Sequence, residues 1–85
     1  NRVMKKVRVI FFASLREEVG RDEVAVQATS LNELLDELRR QLSETAMIAL
    51  TAENVRVAVN QMLVEGVVDL RPGDEVAFLP PVTGG

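Results

Sequence analysis

A chain of 85 residues, 47% hydrophobic and 27% charged, makes one small globular domain and is too short for two. It has no cysteine and no histidine, which excludes disulfides, thiolate metal sites, a thiol nucleophile and the commonest general base. Ten basic against 13 acidic residues leave a net charge of −3 with no basic run to track a phosphate backbone, so nucleic acid is not expected as a partner.

Lys5-Lys6 ahead of an apolar run resembles the start of a signal peptide, but Arg8 interrupts it. The uninterrupted run Val9–Ala13 is shorter than an h-region of about 7–15 residues. Nothing approaches the roughly 20 apolar residues that span a bilayer, so no membrane and a cytoplasmic location are expected. Val7, Val9 and Phe11 alternate with Arg8, Ile10 and Phe12; both sets are largely apolar, which predicts a strand covered on both faces. The charged stretch from Glu17 to Asp22 contains Gly20 and reads as a turn. Val24, Val26 and Ala28 then alternate with Glu23, Ala25 and Gln27, the pattern of a half-buried second strand.

Ser30 and Glu33 have capping-box spacing, in which each side chain satisfies a free backbone donor at a helix start. Leu31, Leu34, Leu35, Leu38 and Leu42 follow on one helical face, with Asp36, Glu37, Arg39 and Arg40 on the other. Leucines at this spacing predict a core-facing helix lying on a sheet. Residues 44–53 leave a short second helix through Met47, Ile48 and Leu50 open. Val55, Val57 and Val59 give a third strand, and Asn60-Gln61 a turn into Met62-Leu63-Val64. Arg71-Pro72-Gly73-Asp74 fits a type II turn, and Val76–Leu79 is the last strand, ended by Pro80-Pro81. The predicted order β-β-α-β-β-β is that of an α+β domain, a mixed sheet with one main helix packed across it. A ubiquitin-like β-grasp is one small fold compatible with it. Residues 1–79 form the domain and residues 80–85 an extended C-terminal tail.

The usual signs of catalysis are missing. Glu17, Glu18, Asp69, Asp74 and Glu75 fall in turns without a histidine or cysteine beside them, so they read as solvated carboxylates and no metal site is expected. The glycines form no phosphate-cradling loop, and Asn60 reads as a turn residue before a ligand group. The chemistry points to Pro80-Pro81-Val82-Thr83-Gly84-Gly85, which carries no charged side chain. Two prolines extend its base, and a chance Gly-Gly ending has a probability of about 0.5%, so more than a frayed end is indicated. A carboxylate that enters another protein's active site needs a narrow stalk, and glycine lacks the Cβ that would block close approach. Activated as an acyl-adenylate, such a carboxylate can be attacked by sulfide or a persulfide to give a thiocarboxylate.

Val9-Ile10-Phe11-Phe12-Ala13, Leu15-Arg16-Glu17 with Gly20, the capped leucine-rich helix, Ala58-Val59-Asn60, and Gly73–Phe78 running into Pro80–Gly85 together resemble the small subunit of molybdopterin synthase, over about residues 4–85. The resemblance implies a β-grasp fold and a non-catalytic sulfur-donor subunit of a heterotetramer. It implies a tail adenylated by an E1-like enzyme that uses ATP, with no permanently bound cofactor. A sulfur donor would then supply the thiocarboxylate, and the catalytic large subunit would use it to build the dithiolene of molybdopterin. Gly85 would bear the sulfur beside Gly84. Phe12, Arg16, Phe78 and Leu79, with the arm Pro80, Pro81, Val82 and Thr83, would form the surface that docks on partners. Many members carry an aromatic residue where this chain has Leu79, and a core placement of Phe12 and Phe78 stays open. The alternatives are a sulfur carrier for thiamine synthesis or tRNA thiolation, and a β-grasp interaction module without covalent chemistry.

Overall fold

A computed structural model of the chain describes residues 6–81. Five strands, β1 (Val7–Phe11), β2 (Glu23–Val26), β3 (Arg56–Val59), β4 (Met62–Val64) and β5 (Glu75–Leu79), form one sheet in the order β2-β1-β5-β3-β4. The β1–β5 pair is parallel and the other pairs are antiparallel, so the expected mixed sheet is present and its first and last strands are neighbours. Three helices accompany it: α1 (Ala13–Val19), α2 (Leu31–Gln41) and α3 (Glu44–Leu50). This is the arrangement of a ubiquitin-like β-grasp.

One face of the sheet carries the core. Val7, Val9 and Phe11 of β1, Val24 and Val26 of β2, and Val76 and Phe78 of β5 are buried against Leu34 and Leu38 of α2. Leu15 of α1 and Met47 and Leu50 of α3 join the same cluster. Both central leucines of α2 are 0% exposed. Its outer face pairs Arg39 with Asp36 and Arg40 with Glu37. At its start, Ser30 Oγ accepts from the Glu33 N–H at 3.1 Å, as the capping-box spacing predicts. The return contact differs, because the Glu33 carboxylate accepts from the Thr29 N–H at 2.6 Å and from its hydroxyl. Ser30 lies in an antiparallel bridge with Asp69, flanked by the Leu31 N–H bonded to the Val68 carbonyl and the Leu70 N–H bonded to the Thr29 carbonyl.

Two expectations are corrected and one left open is decided. β1 is covered on one face only: Arg8 and Phe12 are exposed and Ile10 is half-buried. Glu17–Val19 belong to α1, not to a turn; Leu15 and Val19, four residues apart, face the core, and Gly20 closes the helix at φ 83°. Sequence reading missed α1 because Phe12 at its N-cap offers no side-chain acceptor and its glycine resembles a turn glycine. α3 forms where a short helix was left open, yet Ile48 points outward, 65% exposed. The two turns are as predicted. Asn60 and Gln61 both have positive φ, the requirement of a two-residue hairpin loop, and Gly73 has φ 92° with the Asp74 N–H bonded to the Arg71 carbonyl.

Candidate functional site

β5 is the middle strand, held by β1 on one side and β3 on the other. Its last residue, Leu79, is the Cα partner of Arg56. Pro80 has no N–H to extend that ladder, so the chain leaves the sheet from the centre of one end. Pro80 is half-buried and Pro81 exposed. Val82, Thr83, Gly84 and Gly85 lie outside the described residues.

The same end of the sheet gathers the start of α1. The Phe12 N–H donates to the Phe78 carbonyl at 3.3 Å, continuing the parallel pairing by one bond. The chain then turns into α1 through Ala13, whose φ of 50° lies in the left-handed region. Arg16 follows one turn later, exposed, with its Nε 3.8 Å from Asp22 Oδ1. An exposed pair at that distance orients the guanidinium and adds little stability.

Register decides which side chains share the face opposite the core. Alternation places Ile10 beside Ala77, Ala58 and Leu63 in one row, and Phe12, Leu79 and Arg56 in the next. Phe12 is 42% exposed, Leu63 is 61% exposed and Leu79 is half-buried. At the far end, Arg8 meets Glu75 at 2.7 Å and Glu23 at 3.9 Å. The open face therefore carries an apolar patch beside the exit, with Arg56 in its exit row, Glu23 across from Ile10, and the Arg8–Glu75 pair farther off. An open groove of about 1050 Å³ borders the exit, lined by Leu31, Arg56, Leu63, Leu79, Pro80 and Pro81.

The structure brings Phe12, Arg16, Leu79, Pro80 and Pro81 to this one end. Phe78 departs from the docking role: its side chain is 1% exposed and its ring stacks on Phe11, with centroids 6.1 Å apart. Its contribution to the site is the carbonyl that holds Phe12. Ile10, Arg56 and Leu63 belong to the same surface but were not singled out in the sequence. Their alternation was visible; the register that aligns them was not.

A polar brace fixes the opposite end of β5. Asn60 Oδ1 accepts from the Glu75 N–H at 3.0 Å, and its Nδ2 donates to Asp74 Oδ1 at 3.1 Å. Asp74 Oδ2 accepts from the Arg71 N–H at 2.8 Å. That backbone bond first, then the Asn60 side chain and the nearby Arg71 charge, lower the Asp74 pKa from its ordinary value. Asn60 is thus a turn residue whose side chain ties two turns together. Among the described residues, no three carboxylates gather as a metal site, and no helix is long and apolar enough to cross a membrane.

The family model of the ThiS family matches residues 9–85. The molybdopterin synthase sulfur carrier subunit of Escherichia coli is 44% identical over 81 residues, covering 93% of this chain and 99% of that protein. Its counterpart from Mycobacterium tuberculosis is 38% identical over 86 residues, covering 96% and 100%. Among solved structures, a complex of subunits 1 and 2 of molybdopterin-converting factor from Helicobacter pylori matches with a TM-score of 0.70 at 27% identity, covering 94% of this chain and 99% of that one. Small archaeal modifier protein 1 from Methanosarcina acetivorans matches with a TM-score of 0.78 at 24% identity, covering 99% and 100%, a likeness of fold.

Proposed function

Since the chain belongs to the ThiS family, we propose that it is the sulfur-carrier subunit of a molybdopterin synthase, with Gly85 as the residue that carries the sulfur. The observation that carries this reading is the match itself, which runs to Gly85 and spans nearly the full length of carriers of that name. The geometry at the end of β5 supports it. A central strand held on both sides is a firm mount for an arm, and the apolar face beside Phe12 and Leu79 gives partners a surface to grip.

The reaction follows from carboxyl chemistry. A Gly85 carboxylate oxygen attacks the α-phosphorus of ATP in an activating enzyme, and pyrophosphate leaves with the bridging oxygen. Hydrosulfide then attacks the carbonyl carbon, a C–S bond forms, the bond to the phosphate oxygen breaks, and AMP and a proton leave. When the sulfur arrives as a persulfide, the acyl disulfide formed is split by a second thiol, which departs in a disulfide with the donor's sulfur. The resulting thiocarboxylate is carried to the large subunit, which transfers its sulfur to the carbon framework that becomes the dithiolene. ATP is a co-substrate of the activating enzyme, so this chain needs no resident cofactor. A dependence on ATP fits a cytoplasmic location. The pairing of subunits 1 and 2 in the H. pylori complex supports the large subunit as partner.

Intact mass tests the reading after incubation with the adenylating enzyme, ATP and a sulfur donor: one oxygen is exchanged for sulfur. Deleting Gly85 draws the carboxylate back by about 3.3–3.6 Å, and adding a residue after it puts a side chain where glycine fits. Either change should leave the melting temperature unmoved and lower dithiolene synthesis about a hundredfold or more, since misplacement by about 1 Å already costs that much. An extended chain that accepted sulfur at its new end and supported synthesis at the native rate would overturn the proposal.

A further inference from the structure

The sequence has lysine at two positions, Lys5 and Lys6, and arginine at its other eight basic positions. Among the described residues, arginines stand nearest the exit: Arg56, across from Leu79, and Arg16, one turn into α1. Lys6 lies at the opposite end of the sheet. β1 and β5 run parallel, and the Lys6 carbonyl accepts from the Gly73 N–H at 3.1 Å, just before β5 begins.

On the reading that Gly85 becomes an acyl-adenylate, we propose that Arg16 and Arg56 steer its reactivity by supplying charge at the exit without an amine that could intercept the activated carboxyl. A neutral lysine amine attacks the carbonyl carbon, forms a C–N bond, breaks the bond to the phosphate oxygen and releases AMP and a proton. The product is a stable amide that no longer accepts sulfur. Lysine titrates near 10.4, so a reactive fraction exists at neutral pH, whereas guanidinium stays protonated with its electrons delocalised. Reach makes position matter. The stretch from Pro80 to Gly85 extends to about 20–22 Å, which amply covers the one-strand gap of about 4.8 Å to position 56. To meet Lys6 the tail has to reverse and retrace the length of β5, against the extended direction that Pro80 and Pro81 impose.

The test uses full-length Arg56→Lys and Arg16→Lys, with Arg40→Lys near the far end of α2 as the control for an added lysine. Each is incubated with the adenylating enzyme and ATP, without a sulfur donor, at mildly alkaline pH. Arg56→Lys should give a species one water lighter, with Gly85 joined to the side chain at position 56 by peptide mapping. Its yield should exceed that of the native chain and of Arg40→Lys by about tenfold or more, because the tethered amine acts at a high effective concentration. Thiocarboxylate yield should fall correspondingly once a sulfur donor is added. Amide at the native level in both exit variants, with ATP–pyrophosphate exchange intact, would overturn this inference and leave the carrier reading standing. So would equal amide formation at Lys6 in the native chain. A native chain that is never adenylated would overturn the carrier reading and this inference together.

Discussion

Asn60 adopts φ 51°, a left-handed conformation that asparagine tolerates better than most residues, while its side chain bonds Asp74 and the Glu75 backbone. Asn60→Ala removes both bonds and leaves a less tolerant residue at positive φ. It should destabilise the fold by about 1–3 kcal/mol, read from the denaturant midpoint, and Asn60→Gly by less because the backbone stays relaxed. Asp74 makes this brace sensitive to acid. Its folded pKa is lowered, so its stabilisation is fully present above the unfolded value of about 3.9 and drains away as pH falls through the lower folded value. Asp74→Asn should flatten the decline in melting temperature with acid below about pH 4. The flattening should be partial, because Glu33, lowered chiefly by the Thr29 N–H, titrates in the same sense. Superimposable pH curves would exclude the role given to Asp74.

At the scale of elements, α2 owes its place to two central leucines. Leu34→Ala or Leu38→Ala should cost about 2–5 kcal/mol, since each side chain is fully buried and would leave a cavity. A melting temperature unchanged in both would contradict that packing. This helix was readable in advance because its cap, its leucine face and its charged face agree, and the turns at Asn60-Gln61 and Pro72-Gly73 were readable for the same local reason. α1 was not. It has seven residues, no capping side chain and a first residue at φ 50°, so it is held by Leu15 and Val19 against the core more than by its own signals. Phe12 and Phe78 show the same limit in the strands. Alternation put them one residue either way from a face, and the parallel register alone sends Phe78 inward beside Phe11 and Phe12 outward.

The molecule as a whole has two apolar faces of unequal fate, one sealed by helices and one open beside the exit. Phe12→Ser combined with Leu63→Ser should keep the fold and weaken the complex with the large subunit about tenfold or more, read by calorimetry, because exposed anchors are removed while the core is untouched. Undiminished affinity would place the contact elsewhere. The charge-free stretch from Pro80 to Gly85 could be read from composition, but the mounting of its base on the middle strand could not, since strand order is a property of the closed sheet. That order governs how the chain is born. The strand that joins the two halves of the sheet is the last to be synthesised, and its parallel partner, β1, is the first. On the ribosome, the β1–β2 and β3–β4 pairs can form early, but no strand pairing joins the two halves of the sheet until residues 75–79 emerge. A chain stopped at Gly73 should therefore stay largely unfolded, with no cooperative melting transition. A chain broken before β5 loses the join of the sheet and, with it, the surface beside Phe12 and Leu79.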